Sequence, residues 1–137
     1  MILYPDIYLK NVKEITIELL NKNNIKGLLL DVDNTLIDLD LKILEGTKEW
    51  CNNLKKQGIK ICILSNTNKI EKVKMVAKSL DLPYINFAKK PFKKGFKQAV
   101  KLLELEAKNV AAVRWSNNDR RATVETEWVC LQYLQNQ

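Results

Sequence analysis

The segment Ile25–Val32 constrains this chain more than any other. It reads I-K-G-L-L-L-D-V, an apolar run that ends in Asp31. A strand with one wet face alternates apolar and polar residues. A near-continuous apolar run fits a strand covered on both faces, inside a parallel sheet. Covering both faces takes helices, and the sequence downstream supplies them. Lys48–Gln57 reads as an amphipathic helix with Trp50, Cys51 and Leu54 on one side, and Gly58 stops it. Ile59–Leu64 is a second apolar strand. It runs into Ser65-Asn66-Thr67-Asn68, a polar turn suited to cap a helix over Ile70–Leu80. Pro83–Phe87 is a short third strand. Lys93–Leu105 is a further helix, with Phe96, Val100 and Leu103 spaced for one buried face, and Asn109–Val113 is a fourth strand. Met1–Lys10 reads as an irregular arm, and Val12–Leu20 mixes helical with extended signals. Strands alternating with helices of this length imply βαβ units and a parallel, doubly wound sheet, which binds ligands at the carboxyl ends of its strands.

Composition removes several kinds of chemistry. The 137 residues include no histidine, which excludes histidine bases and histidine-held metals. Three cysteines, Cys51, Cys62 and Cys130, are too few and too scattered for a disulfide framework or a zinc site. Catalysis must then run on carboxylates, lysines, hydroxyls or thiols. No apolar run approaches the roughly 18 residues that span a bilayer, and no targeting segment is recognisable, so the expected location is the cytoplasm. A formal charge of +7 favours phosphate-bearing partners, although a solvated lysine-rich surface explains it equally well.

The residues able to do chemistry fall at the strand ends. Asp31 and Asp33, in D-V-D-N-T-L, follow the first buried strand. Ser65 and Asn66 follow the second, and Lys89 and Lys90 follow the third. Two acids at a strand end can simply cap a helix or sit in solvent. Placed directly after L-L-L and followed by N-T-L, they point to paired carboxylate chemistry.

The segment I-K-G-L-L-L-D-V-D-N-T-L-I resembles the first motif of the haloacid dehalogenase-like superfamily. The resemblance implies that Asp31 attacks phosphorus to form an aspartyl phosphate, and that Asp33 serves as general acid and then base. It implies a Mg2+ cofactor, with the Asp31 side chain and the Asp33 backbone carbonyl among its ligands. Ser65 is similar to the second-motif hydroxyl, which with the Asn66 amide would hold the phosphoryl oxygens. Lys90, ahead of Pro91, is similar to the third-motif lysine, with Lys89 as the fallback. The implied fold is a three-layer α/β/α sandwich with a parallel Rossmann-like sheet. More narrowly, L-Y-P-D-I-Y, the L-S-N-T turn and L-P-Y-I-N-F-A-K-K-P-F resemble the YqeG-type phosphatases of subfamily IIIA, over about residues 1–113. The short gap between Ile37 and Trp50 leaves no room for a large cap. The implied substrate is a phosphomonoester at an open site, with phosphatidylglycerophosphate at the inner membrane face the candidate from relatives. A catalytically dead module that contacts RNA, ribosome or anionic membrane is the rival, and a phosphotransferase is another.

The pattern breaks after Val113. The family continues with G-D-Q-x-x-T-D and G-G-N-R, whereas this chain reads R-W-S-N-N-D-R-R-A-T-V-E-T-E-W-V-C-L-Q-Y-L-Q-N-Q. Lysine is absent after Lys108, and arginine is absent before Arg114. Back-translation of Arg114–Arg120 with one base dropped permits G-G-V-I-M-T-D, and back-translation of Arg121–Val129 from the third base of the Arg121 codon permits Y-G-G-N-R-M-G. The expectation is a core over 1–113, truncated at its C-terminal edge, with 114–137 a divergent tail that is either an out-of-frame translation or, as the competing reading, a genuine C-terminus. The fourth-motif carboxylate would then be missing and activity low. Asp119 sits too far past the strand to replace it.

Overall fold

The computed structural model describes residues 3–9, 12–32, 46–87, 92–116 and 128–134. Six strands form one sheet: β1 (Leu3–Leu9), β2 (Gly27–Leu30), β3 (Lys60–Ser65), β4 (Tyr84–Asn86), β5 (Val110–Ser116) and β6 (Trp128–Leu134), in the order β1-β6-β5-β2-β3-β4. Four helices accompany them: α1 (Ile17–Lys22), α2 (Thr47–Lys56), α3 (Ile70–Leu80) and α4 (Phe92–Leu103). The strands β5, β2, β3 and β4 are parallel, and β6 runs antiparallel to both β5 and β1.

The all-apolar character of β2 has the physical meaning anticipated for it. Leu28 and Leu30 face one side, where they join Ile61, Ile63, Ala111 and Val113 under α1, α2 and α3. Leu29 faces the other side with Cys62, Leu64, Val110 and Ala112, under Phe96, Ala99 and Leu103 of α4. Alternate residues of one strand thus feed two separate cores, which makes the chain a three-layer α/β/α sandwich. Trp50, on the buried face of α2, donates its indole N–H to the Ile15 carbonyl at 2.8 Å. This satisfies the one polar atom of a large core residue. Gly58, at φ +89°, turns the chain from α2 into β3 in a conformation that side-chain-bearing residues avoid.

Two lysines tie helix ends to neighbouring elements at the amino-terminal edge of the parallel strands. Lys60 Nζ, at the start of β3, donates to the Leu103 carbonyl at 2.9 Å. Lys55 Nζ donates to the Leu80 and Asp81 carbonyls at 3.4 and 3.1 Å. Each places a cation on the carbonyls that a helix C-terminus leaves unpaired.

One expectation needs correction. The first residues are not an irregular arm, because Leu3–Leu9 pairs with β6. The apolar residues from Trp128 to Leu134 form a strand between β1 and β5, from Ala111↔Tyr133 to Ser116↔Trp128 on the β5 side. The Ser65–Asn68 turn leads into α3 without a side-chain cap: the residue at the cap position is Lys69, which makes no side-chain cap bond.

Candidate active site

Parallel pairing brings the ends of β2, β3 and β5 to one edge. Leu30 lies opposite Ile63 on one side and Val113 on the other. The chain then leaves the ladder at Asp31, whose N–H still donates to the Val113 carbonyl at 3.1 Å. The Asp31 backbone is therefore fixed by the sheet, and its half-buried side chain sits at the sheet's rim. The Oδ1 atom of Asp31 accepts the Val32 N–H at 2.9 Å, and Val32 is buried. A carboxylate held on a strand end in this way has a defined direction of approach to a ligand.

Ser65 closes β3 and is 3% exposed. Its carbonyl accepts the Phe87 N–H at 2.8 Å, and its Oγ accepts the Thr67 N–H at 3.4 Å. The Thr67 hydroxyl in turn accepts the Lys69 N–H at 3.0 Å. The Ser65–Lys69 loop is thus a chain of short side-chain-to-backbone turns. Asn86 Nδ2 fastens this loop from β4 by donating to the Thr67 carbonyl at 3.0 Å. Asn66, which is exposed, faces a pocket that Asp31 also lines, together with Leu29, Leu64, Phe87, Ala112 and Val113.

The structure therefore brings Asp31 and Asn66 to one pocket and places Ser65 on the strand that carries Asn66. Asp33, Lys89 and Lys90 lie outside the described residues. Sequence reasoning missed Asn86 and Phe87. Their signal was weak, because each acts through the third dimension: Asn86 on a loop from another strand, Phe87 as a pocket wall.

A divalent cation such as magnesium requires several hard oxygen ligands together. Among the described residues no group of three or more His, Cys, Asp or Glu side chains converges. Asp31 is one carboxylate. One residue beyond the Leu30–Val113 pair, β5 carries Arg114 and continues as a strand to Ser116. The described residues do not complete a magnesium site.

The haloacid dehalogenase-like hydrolase family matches residues 38–113. A Bacillus subtilis protein named "Probable phosphatase YqeG" is 37% identical over 110 residues, which is 80% of this chain and 63% of that protein. This chain thus spans less than two thirds of that relative's length. Among solved structures, the cobalt-bound deoxy-D-mannose-octulosonate 8-phosphate phosphatase of Haemophilus influenzae superposes with a TM-score of 0.55 at 17% identity, over 66% of this chain and 58% of that one. The 3-deoxy-D-manno-octulosonate 8-phosphate phosphatase of Moraxella catarrhalis, in complex with magnesium, phosphate and KDO, superposes with a TM-score of 0.51 at 20% identity, over 71% and 62% of the two chains. At those identities the structures speak for the fold. The sequence match supplies the rest: this chain belongs to the haloacid dehalogenase-like hydrolases.

Proposed function

We propose that the site hydrolyses phosphomonoesters through an aspartyl phosphate on Asp31. The observation that carries this reading is the position of Asp31: a half-buried carboxylate on the central strand's carboxyl end, lining one pocket with Asn66. In the first step an Asp31 oxygen bonds to phosphorus as the ester P–O bond breaks, and Asp33 protonates the departing alkoxide. In the second step Asp33 removes a proton from water, the water oxygen bonds to phosphorus, and the Asp31–phosphorus bond breaks to release inorganic phosphate. Ser65, Asn66 and Lys90 hold the phosphoryl oxygens, by hydroxyl, amide and ammonium respectively. A magnesium ion would be held by the Asp31 side chain and the Asp33 carbonyl, and would screen the repulsion between that carboxylate and an anionic phosphate. The bound cobalt and magnesium of the two structural relatives support a divalent ion. With so few ligands it should bind loosely, and turnover should be slow. Phosphatidylglycerophosphate is the substrate we assign, from the resemblance to YqeG-type phosphatases and the basic surface.

The test is hydrolysis of para-nitrophenyl phosphate with and without magnesium, combined with acid quenching and mass-spectrometric mapping of the phosphorylated residue. We expect slow turnover that Asp31→Asn reduces to background, with the phosphoryl group on Asp31. Turnover that survives Asp31→Asn, or a phosphoryl group on another residue, would overturn the assignment. A second reading is favoured by the sequence after Val113, which reads Arg114-Trp115 where a carboxylate is expected: a module that binds phosphate without hydrolysing it. Salt-sensitive phosphate binding with no turnover in either protein would identify it.

A further inference from the structure

The helix α4 differs from the other long helices in its charge. Its sequence, F-K-K-G-F-K-Q-A-V-K-L-L, holds four lysines and no acidic residue, whereas α2 and α3 each carry a glutamate in the first turn. Phe96, Ala99 and Leu103 are buried against the sheet. Lys94, Lys97 and Lys101 are exposed, with a three- and then four-residue spacing that sets them on one outward stripe. A few lysines elsewhere lie near carboxylates, Lys74 with Glu71 at 3.8 Å and Lys108 with Glu106 at 3.3 Å. Among the described residues no carboxylate pairs with Lys94, Lys97 or Lys101. A row of unneutralised ammonium groups on a rigid helix is self-repelling, and an anionic surface relieves that repulsion.

Two further features select the kind of surface. A groove beside the stripe is lined by apolar Val100, Leu105 and Ala107 together with Lys97 and Lys101. Leu102, next to Lys101, is 49% exposed. Apolar side chains flanked by lysines suit the headgroup boundary of a bilayer, where lysine stems lie along apolar surface and their ammonium groups reach lipid phosphates. The stripe offers neither arginine nor an aromatic ring for a base to stack on, which disfavours RNA.

We propose that the outer face of α4 is a docking surface for an anionic lipid bilayer. The opposite, inner face of the same helix packs against the site: an added Cβ on Gly95 would lie 2.7 Å from the Phe87 ring, and Phe87 lines the Asp31 pocket. The inference rests on the lipid-phosphate reading of the site, and its surface is argued from the α4 lysines and the apolar side chains beside them.

The experiment is co-sedimentation of the full chain with vesicles of phosphatidylcholine, and of phosphatidylcholine mixed with phosphatidylglycerol. Binding is expected only to the mixed vesicles and should weaken with added salt. The combined variant Lys94→Gln, Lys97→Gln, Lys101→Gln should bind on the order of a hundredfold more weakly, about fivefold per lysine. Its circular dichroism spectrum and its rate on soluble para-nitrophenyl phosphate should match the parent. Asp31→Asn should bind vesicles like the parent, which separates docking from the reaction. Equal binding to both vesicle types, or undiminished binding by the glutamine variant, would overturn the proposal. So would binding of a short RNA with the same lysine dependence in place of vesicle binding. If the glutamine variant misfolds, the single charge reversal Lys97→Glu carries the same test with a smaller expected loss.

Discussion

Gly95 and Phe87 are in such close contact that an ideal Cβ on Gly95 would stand 2.7 Å from Phe87 Cγ and 2.8 Å from its Cβ and Cδ1. The glycine lets the first half of α4 lie against the residue that follows β4. The atoms met are the root of the side chain and not its flexible tip, so they cannot yield by a rotamer change alone.

Gly95→Ala should therefore destabilise the protein despite the better helix propensity of alanine. Overpacking costs about 1–3 kcal/mol, and the propensity gain returns about 1 kcal/mol. The net expected loss is about 1 kcal/mol, read as a lower midpoint in urea. A double variant with Phe87→Leu should recover part of it, because the two positions are in contact and their effects are not additive. An unchanged midpoint in Gly95→Ala would mean that the contact between α4 and Phe87 is looser than described.

How much of this was legible in the sequence depended on where each residue finds its partner. The two-faced burial of β2 follows from an uninterrupted L-L-L, and α3 runs over Ile70–Leu80 as its periodicity predicts. Those elements carry their own signal. The outer strands do not. Leu3–Leu9 contains Pro5 and Asp6 and becomes a strand only because Leu134 and its neighbours, from the far end of the chain, lie alongside it. Ser65 shows the same limit at the site. S-N-T-N has the composition of a helix cap, yet its loop is shaped by Asn86 from β4 and by a Ser65 hydroxyl that accepts from Thr67.

The thiols of Cys51 and Cys62 should be inert in the native protein. Burial pushes the Cys51 thiol from its ordinary 9.0 up to about 11, with Lys55 opposing the shift. Burial pushes the Cys62 thiol to about 12. Thiolate is the reactive form, so iodoacetamide at neutral pH should leave both unmodified until the chain is unfolded, as peptide mapping would reveal. The same shifts carry a pH dependence. Below 9.0 both states keep the protons and these thiols add no slope. Above it the unfolded chain releases protons that the folded chain retains, so stability falls as pH rises through about 11 for Cys51 and about 12 for Cys62. The slope is at most about 1.4 kcal/mol per pH unit for each thiol. Urea midpoints across that range should fall less steeply in Cys62→Ala. Rapid native labelling of either cysteine would contradict the burial.

The segment after Val113 is, we propose, a divergent, out-of-frame tail appended to a 1–113 core. Its strand β6 nevertheless lies between β1 and β5 and pairs with both. Ending the chain at Val113 would remove the hydrogen-bonding partner of β1 and leave one side of β5 unpaired. An open strand edge recruits other chains. The shortened protein is therefore expected to be less stable than the full chain and more prone to aggregate, measured by urea denaturation and light scattering at equal concentration. The tail would then be a structural part of this polypeptide whatever reading frame it came from. Equal stability would mean that residues 1–113 fold alone and that the β6 pairing adds nothing. Sequencing the gene onward from the codon for Asn109 addresses the frame independently of stability. A continuation reading G-D-Q-x-x-T-D and G-G-N-R would restore a carboxylate just after Val113, where Arg114 and Trp115 now stand, and with it a candidate magnesium ligand. The restored chain should then turn over phosphomonoesters faster than the 137-residue protein. An equal rate from the two would mean that the reaction does not depend on that carboxylate.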